Sequence, residues 1–255
     1  MIRTLVLIAV TGFFLSIVCI AAAFAIAGGP FSITDHGIVH FRDMDWHSSR
    51  HHRDDKGDLA LGDVGADNAT RDFAWSGGDR LVVDVPADLV FTQGPVAKLT
   101  VSGPADVLDK LIVGAGAIRT ASEDNLEDDY RLKIMMTAPD VRMFELNGDQ
   151  KLVVEGYNQA TFGLDITGSG TASVKGAAKT VKLSIAGSGR ADLAELATDD
   201  ATVDISGSGH AKLGPKLAAK ISVSGSGDVE LTVKPKSLTS DISGSGRVSQ
   251  PGMPG

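Results

Sequence analysis

"DISGSGH" runs from Asp204 to His210, and nearly the same words recur as "DITGSGT" from Asp165 and "DISGSGR" from Asp241. A Gly-Ser-Gly triplet ordinarily marks a flexible linker. Here five copies stand in the most strand-like part of the chain: Gly168-Ser169-Gly170, Gly187-Ser188-Gly189, Gly207-Ser208-Gly209, Gly225-Ser226-Gly227 and Gly244-Ser245-Gly246. Successive copies begin 19, 20, 18 and 19 residues apart. A degraded earlier copy, "ELNGDQKLVVEG" from Glu145, places Gly148 twenty residues before Gly168. A fixed period near 19 is the signature of a solenoid.

Overlaying the copies gives each residue a place. Before the triplet, apolar residues alternate: Phe162, Leu164, Ile166, then Val181, Leu183, Ile185, then Ala201, Val203, Ile205, then Ala219, Ile221, Val223. After it the alternation resumes in Ala172 and Val174, Ala191 and Leu193, Ala211 and Leu213, Val229 and Leu231. Period two means strand with one face turned inward. Each copy therefore reads strand, corner, strand and a variable return. One such unit cannot bury its apolar face alone. Stacked units can, because equivalent residues form columns such as Ile166-Ile185-Ile205-Val223-Ile242.

The predicted fold is all-β: a parallel β-helix with rungs of about 19 residues. Its expected hand is right, as for nearly all parallel crossovers. The glycines are assigned to corners whose backbone angles a Cβ opposes. The serine is assigned to a stacked column whose hydroxyls bond up and down the stack. Outward positions vary: Asp165, Ser184, Asp204, Ser222, Asp241 before the corner, and Thr171, Arg190, His210, Asp228, Arg247 after it. The last rung turns polar at Ser240, Ser249 and Gln250, which are read as inward, and "PGMPG" follows as an end cap. Strand-rich segments from Asp72 to Pro139 are expected to continue or cap the same stack.

The chain divides into three regions. Residues 1–28 form an anchor or signal, 29–70 a polar His-rich linker, and 71–250 the β-helix domain. Leu5 to Ala27 is uncharged over 23 residues, long enough to cross a bilayer as a helix. Its length favours an uncleaved membrane anchor, while Ala25-Ile26-Ala27 before Gly28 fits a cleaved secretory signal. Both readings place the rest of the chain outside the cytoplasmic membrane, in the periplasm or cell envelope. The linker holds five of the six histidines: His36, His40, His47, His51 and His52, with Asp43 and Asp45 between them. Such residues ligate zinc, copper or nickel when a scaffold fixes them. A solvated tether of mixed charge is the favoured reading, and no metal or other cofactor is assigned.

Composition excludes other classes. The net charge is −8 with no Lys/Arg cluster, so a nucleic-acid backbone has no groove to follow. Cys19 is the sole cysteine and lies in the apolar segment, leaving the body without a disulfide or thiolate site. "SEDNLEDD", Ser122 to Asp129, lacks calcium-loop spacing and reads as a charged turn. No nucleophile-base arrangement or phosphate loop is present, and no catalytic residue is assigned. A carbohydrate-active enzyme stands as the alternative, because Asp165, Asp204 and Asp241 share a column at about 9.6 Å, two strand spacings. Inverting glycosidases use carboxylates about that far apart. No aromatic platform accompanies them: Trp46 and Trp75 are remote in sequence. A structural or stress-related envelope scaffold is a further alternative.

"SGGDRLVVDVPADLVFTQG" (Ser76 to Gly94), "KLTVSGPADVLDKLIV" (Lys98 to Val113), "TAPDVRMFELNG" (Thr137 to Gly148) and the serial Gly-Ser-Gly corners carry a resemblance. Over roughly residues 72 to 250 the chain resembles the head GIN domain family of bacterial auto-transporter adhesins, a domain of unknown function. The resemblance implies export, a right-handed β-helix and adhesion to an envelope or surface ligand, glycan or protein. It brings no catalytic motif. The chain departs from a usual exported member in its long His-rich tether, and it carries no membrane β-barrel translocator.

Overall fold

The structure is a computed structural model and describes residues 68–121 and 130–252. The apolar segment 5–27, the tether through residue 67 and the acidic turn 122–129 lie outside the described residues, as does the last part of "PGMPG". Among the described residues no helix is long and apolar enough to cross a membrane.

The architecture is all-β, with a solenoid of about five turns. Its regular part consists of β9 (Lys151–Gly168), β10 (Thr171–Gly187), β11 (Arg190–Gly207) and β12 (His210–Gly225). β13 (Asp228–Leu231), β14 (Ser237–Gly244) and β15 (Arg247–Ser249) follow. Each pairs in parallel with its equivalent one rung away. The register confirms the predicted columns: Ile166 lies beside Ile185, Ile185 beside Ile205, Ile205 beside Val223 and Val223 beside Ile242. Ile166, Ile185, Ile205 and Val223 are buried. At roughly 1.5–3 kcal/mol for each fully buried aliphatic side chain, stacking such columns is the main stabilising force.

In β9 to β12 the return after the corner, unassigned from sequence, is also strand, whereas residues 232–236 between β13 and β14 are irregular. The strand return bends at a second corner, where the register slips: Val174 pairs with Val154, but Gly176 pairs with Tyr157. β11 and β12 slip again between Leu193 and Thr198. The unequal spacings of the triplets are absorbed here, so the Gly-Ser-Gly corner itself stays in register. Gly176 has φ +138°, and a Cβ on it would lie 2.1 Å from the Tyr157 carbonyl oxygen.

Upstream, β2 (Arg80–Val83), β3 (Ala87–Gln93) and β8 (Met143–Gly148) continue the stack in parallel. Phe91, Phe144, Tyr157 and Phe162 form a buried aromatic cluster with adjacent ring centroids 5.0–6.4 Å apart. The expectation that this region continues or caps the stack is met in both ways. β1 (Asn68–Phe73), β4 (Lys98–Pro104) and β7 (Leu132–Ala138) run antiparallel to one another in sequence of pairing, as do β5 (Leu111–Gly114) and β6 (Ala117–Thr120). Ala105–Asp109, within a stretch read as strand-rich, is a short helix, α1. Pro104 opens it, and its Val107 and Leu108 are buried. β1 begins at Asn68, inside the stretch assigned to the tether.

Two side-chain assignments need correction. Ser249 lies beside Glu230 in the outward column, while its neighbours Val248 and Gln250 take the inward parity. The Gly-Ser-Gly serines are exposed in all five copies and do not form a hydroxyl ladder. The backbone carries that ladder instead.

Candidate functional site

The fifteen residues of the five triplets come together as one edge of the solenoid. Their chemistry is structural, and the two glycines of each triplet are needed for different reasons. Gly207 has φ +121°, and a Cβ there would meet the Gly187 carbonyl oxygen at 2.5 Å. Gly209 has ordinary backbone angles, but a Cβ would lie 2.6 Å from the Ile185 γ-methyl. The first glycine thus permits the turn, and the second permits the core to close behind it. Between them, the Ser188, Ser226 and Ser245 amides each donate to a glycine carbonyl one rung away at 2.8 Å. The serine is the small exposed residue that leaves this ladder undisturbed.

Gln150 ends the glycine column. It occupies the place of a second glycine and is 1% exposed. Its Nε2 donates to the carbonyls of Val83, Val85 and Asn147 at 3.0–3.2 Å. An amide side chain thereby satisfies carbonyls of a turn that has no glycine corner beneath it. Sequence reasoning passed over Gln150, although its position two residues after Gly148 is the signal that finds it.

The wall after the corner is the candidate binding surface. The predicted outward column is observed: Thr171, Arg190, His210, Asp228 and Arg247 lie side by side in register. Two residues on, Asp192, Lys212, Glu230 and Ser249 form a second column. The inward residues between them, Ala191, Ala211 and Val229, are small and buried. A shallow depression of about 420 Å³ opens across these rungs. Lys212 pairs with Glu230 at 2.9 Å, and His210 Nδ1 lies 3.6 Å from Asp228. The Glu230 hydrogen bond and charge hold the Lys212 ammonium above its ordinary pKa. Arg190 and Arg247 flank these pairs and make no ion pair among the described residues. The two guanidinium groups with open donors suit polar or anionic groups on an extended ligand.

The wall before the corner is different. Asp165, Ser184, Asp204, Ser222 and Asp241 occupy one column, so adjacent carboxylates are two rungs apart. The column continues to Glu145, which receives a 2.5 Å ion pair from Arg80. Glu145 stands directly beside Asp165, with Arg80 close to both carboxylates, whereas from Asp165 onward serine alternates with aspartate and keeps like charges from lying directly opposite one another. Among the described residues, no three His, Cys, Asp or Glu side chains lie close enough to hold a metal ion. The tether histidines lie outside the described residues.

A family model described as "Putative auto-transporter adhesin, head GIN domain" matches residues 79–254. The chain belongs to this family. No curated protein matches it. Among solved structures, a putative adhesin of Bacteroides fragilis is similar at 14% identity and TM-score 0.60, covering 72% of this chain and 96% of that one. A putative adhesin of Parabacteroides distasonis gives 12% identity and TM-score 0.48, covering 73% and 98%. One of Parabacteroides merdae gives 12% and 0.46, covering 72% and 95%. The first likeness supports the fold of the head GIN domain seen here. The Gly-Ser-Gly corners fall within the matched residues, and β1 lies before them.

Proposed function

We propose that this chain is an exported, non-catalytic adhesion module of the cell envelope, with a right-handed coil that binds a surface ligand, glycan or protein, through its outer wall. Residues 5–27 direct export and hold the domain at the membrane, with 29–70 as the tether. The observation that supports this reading most is the wall carrying Arg190 and Arg247, whose charges are exposed and unpaired among the described residues. Its rigid backbone spares a ligand the cost of ordering a loop. Family membership points the same way. Binding of the full chain to glycan arrays and envelope fractions tests it. Binding that survives Asp204→Ala and is lost in Arg190→Glu/Arg247→Glu supports the wall.

The enzyme reading draws on the two-rung separation of Asp165 and Asp204, which suits an inverting carboxylate pair. Polysaccharide turnover abolished by Asp204→Ala would establish it and overturn the adhesion reading.

A further inference from the structure

The two ends of the solenoid are finished differently. At the N-terminal side, antiparallel strands and α1 cover the core, and Arg71 pairs with Asp109 at 2.6 Å across that cover. At the C-terminal side, β14 pairs only with β12, leaving its other edge open among the described residues. Ile242 is 40% exposed, whereas Ile205 and Val223 of the same column are 0% and 1% exposed. The edge reads "SLTSDISG": one charge, no lysine and no proline. Exposed edges are normally protected by such residues, because unpaired N–H and C=O groups recruit another strand.

We propose that β14 pairs antiparallel with β14 of a second copy of this chain, about a two-fold axis at Ser240. The register follows from parity and charge. Directly opposite residues in an antiparallel pair share a face, so only registers that place inward residues opposite inward ones preserve the core. Centring on Ser240 sets Leu238 opposite the partner's Ile242, and Asp241 opposite the partner's Thr239. Both apolar residues of β14 are covered, and no like charges meet. Centring on Asp241 opposes two carboxylates, which is destabilising. Centring on Thr239 leaves Ile242 beyond the paired segment. The contact is isologous and closes as a dimer.

The test uses the full chain in detergent, with Cys19→Ser to remove the native thiol. Ser240→Cys places two thiols across the axis, with Cα atoms about 4.5–5.5 Å apart, within disulfide reach. Mild oxidation is expected to convert most of the chain to a disulfide-linked dimer. Separate chains carrying Thr239→Cys and Asp241→Cys are expected to cross-link when mixed and not when alone. Ile242→Lys, with unchanged circular dichroism, is expected to sediment as the monomer. A folded Ser240→Cys chain that stays uncross-linked overturns the proposal, as does a dimer undiminished by Ile242→Lys. Sedimentation of the chain without added cysteines as species larger than the dimer would also overturn it, since they require a head-to-tail contact.

Discussion

The amide of Ser208 donates to the carbonyl oxygen of Gly187 at 2.8 Å, one rung away, while the Ser208 side chain faces solvent. This one bond separates a corner from a linker. A linker leaves its amides to water, whereas here the middle residue of the triplet is tied into the stack.

Gly207 is accordingly the more demanding residue and Ser208 the more permissive one. Gly207→Ala forces a side chain into positive φ and against a carbonyl 2.5 Å away. It is expected to cost about 3 kcal/mol. Ser208→Ala is expected to change stability by less than about 0.5 kcal/mol, as for an exposed residue without partners. Paired urea titrations of the two variants measure the contrast. Equal losses would return the hydroxyl to a structural role.

Gln150→Ala removes the buried amide that serves the carbonyls of Val83, Val85 and Asn147. Carbonyls left unsatisfied, together with the space vacated, set an expected loss of about 2–3 kcal/mol. Hydrogen exchange should quicken first in β2 and β3, next to the vacated site. Loss spread evenly over all rungs would argue against a local cap.

Tyr157 is buried, and its hydroxyl donates to the Thr161 carbonyl at 2.6 Å. Burial pushes its phenol well above the ordinary pKa, with a smaller opposing influence from Arg142. The folded state therefore holds its proton more tightly than the unfolded chain. The resulting stability is fully present below the ordinary phenol pKa of about 10 and is lost as pH rises above it. The loss should approach about 1.4 kcal/mol per pH unit. Tyr157→Phe should flatten the stability profile between about pH 10 and 11. Parallel profiles for the two proteins would contradict this.

Arg190→Glu/Arg247→Glu should abolish ligand capture while leaving the melting temperature within a degree or two, because exposed charges contribute little to stability. Calorimetry on the variant separates the two effects. A variant that both unfolds and fails to bind would place these arginines in the scaffold rather than at the ligand.

The regular rungs are legible because local and global patterns agree there: the inward residues flanking each of the four central Gly-Ser-Gly corners are apolar, and both alternations keep phase with the glycines. Features set by tertiary contact are not. The helix at Ala105–Asp109 is too short to show a period. β1 is held by antiparallel pairing with β4 rather than by its own alternation. The polar composition of the final rung suggests an inward Ser249, whereas parity from Arg247 assigns it outward. The charged wall was readable as a list of outward residues. Its pairing of Lys212 with Glu230, and the unpaired arginines at either side, required the register.

Amide hydrogen exchange at Ser188, Ser208 and Ser226 addresses the stacked corner most directly. Their N–H groups are bonded to carbonyls of the neighbouring rung, so their protection should match that of the flanking core strands at Leu183, Val203 and Ile221. Exchange at the rate of an unstructured Gly-Ser-Gly peptide, with those strands still protected, would contradict the account.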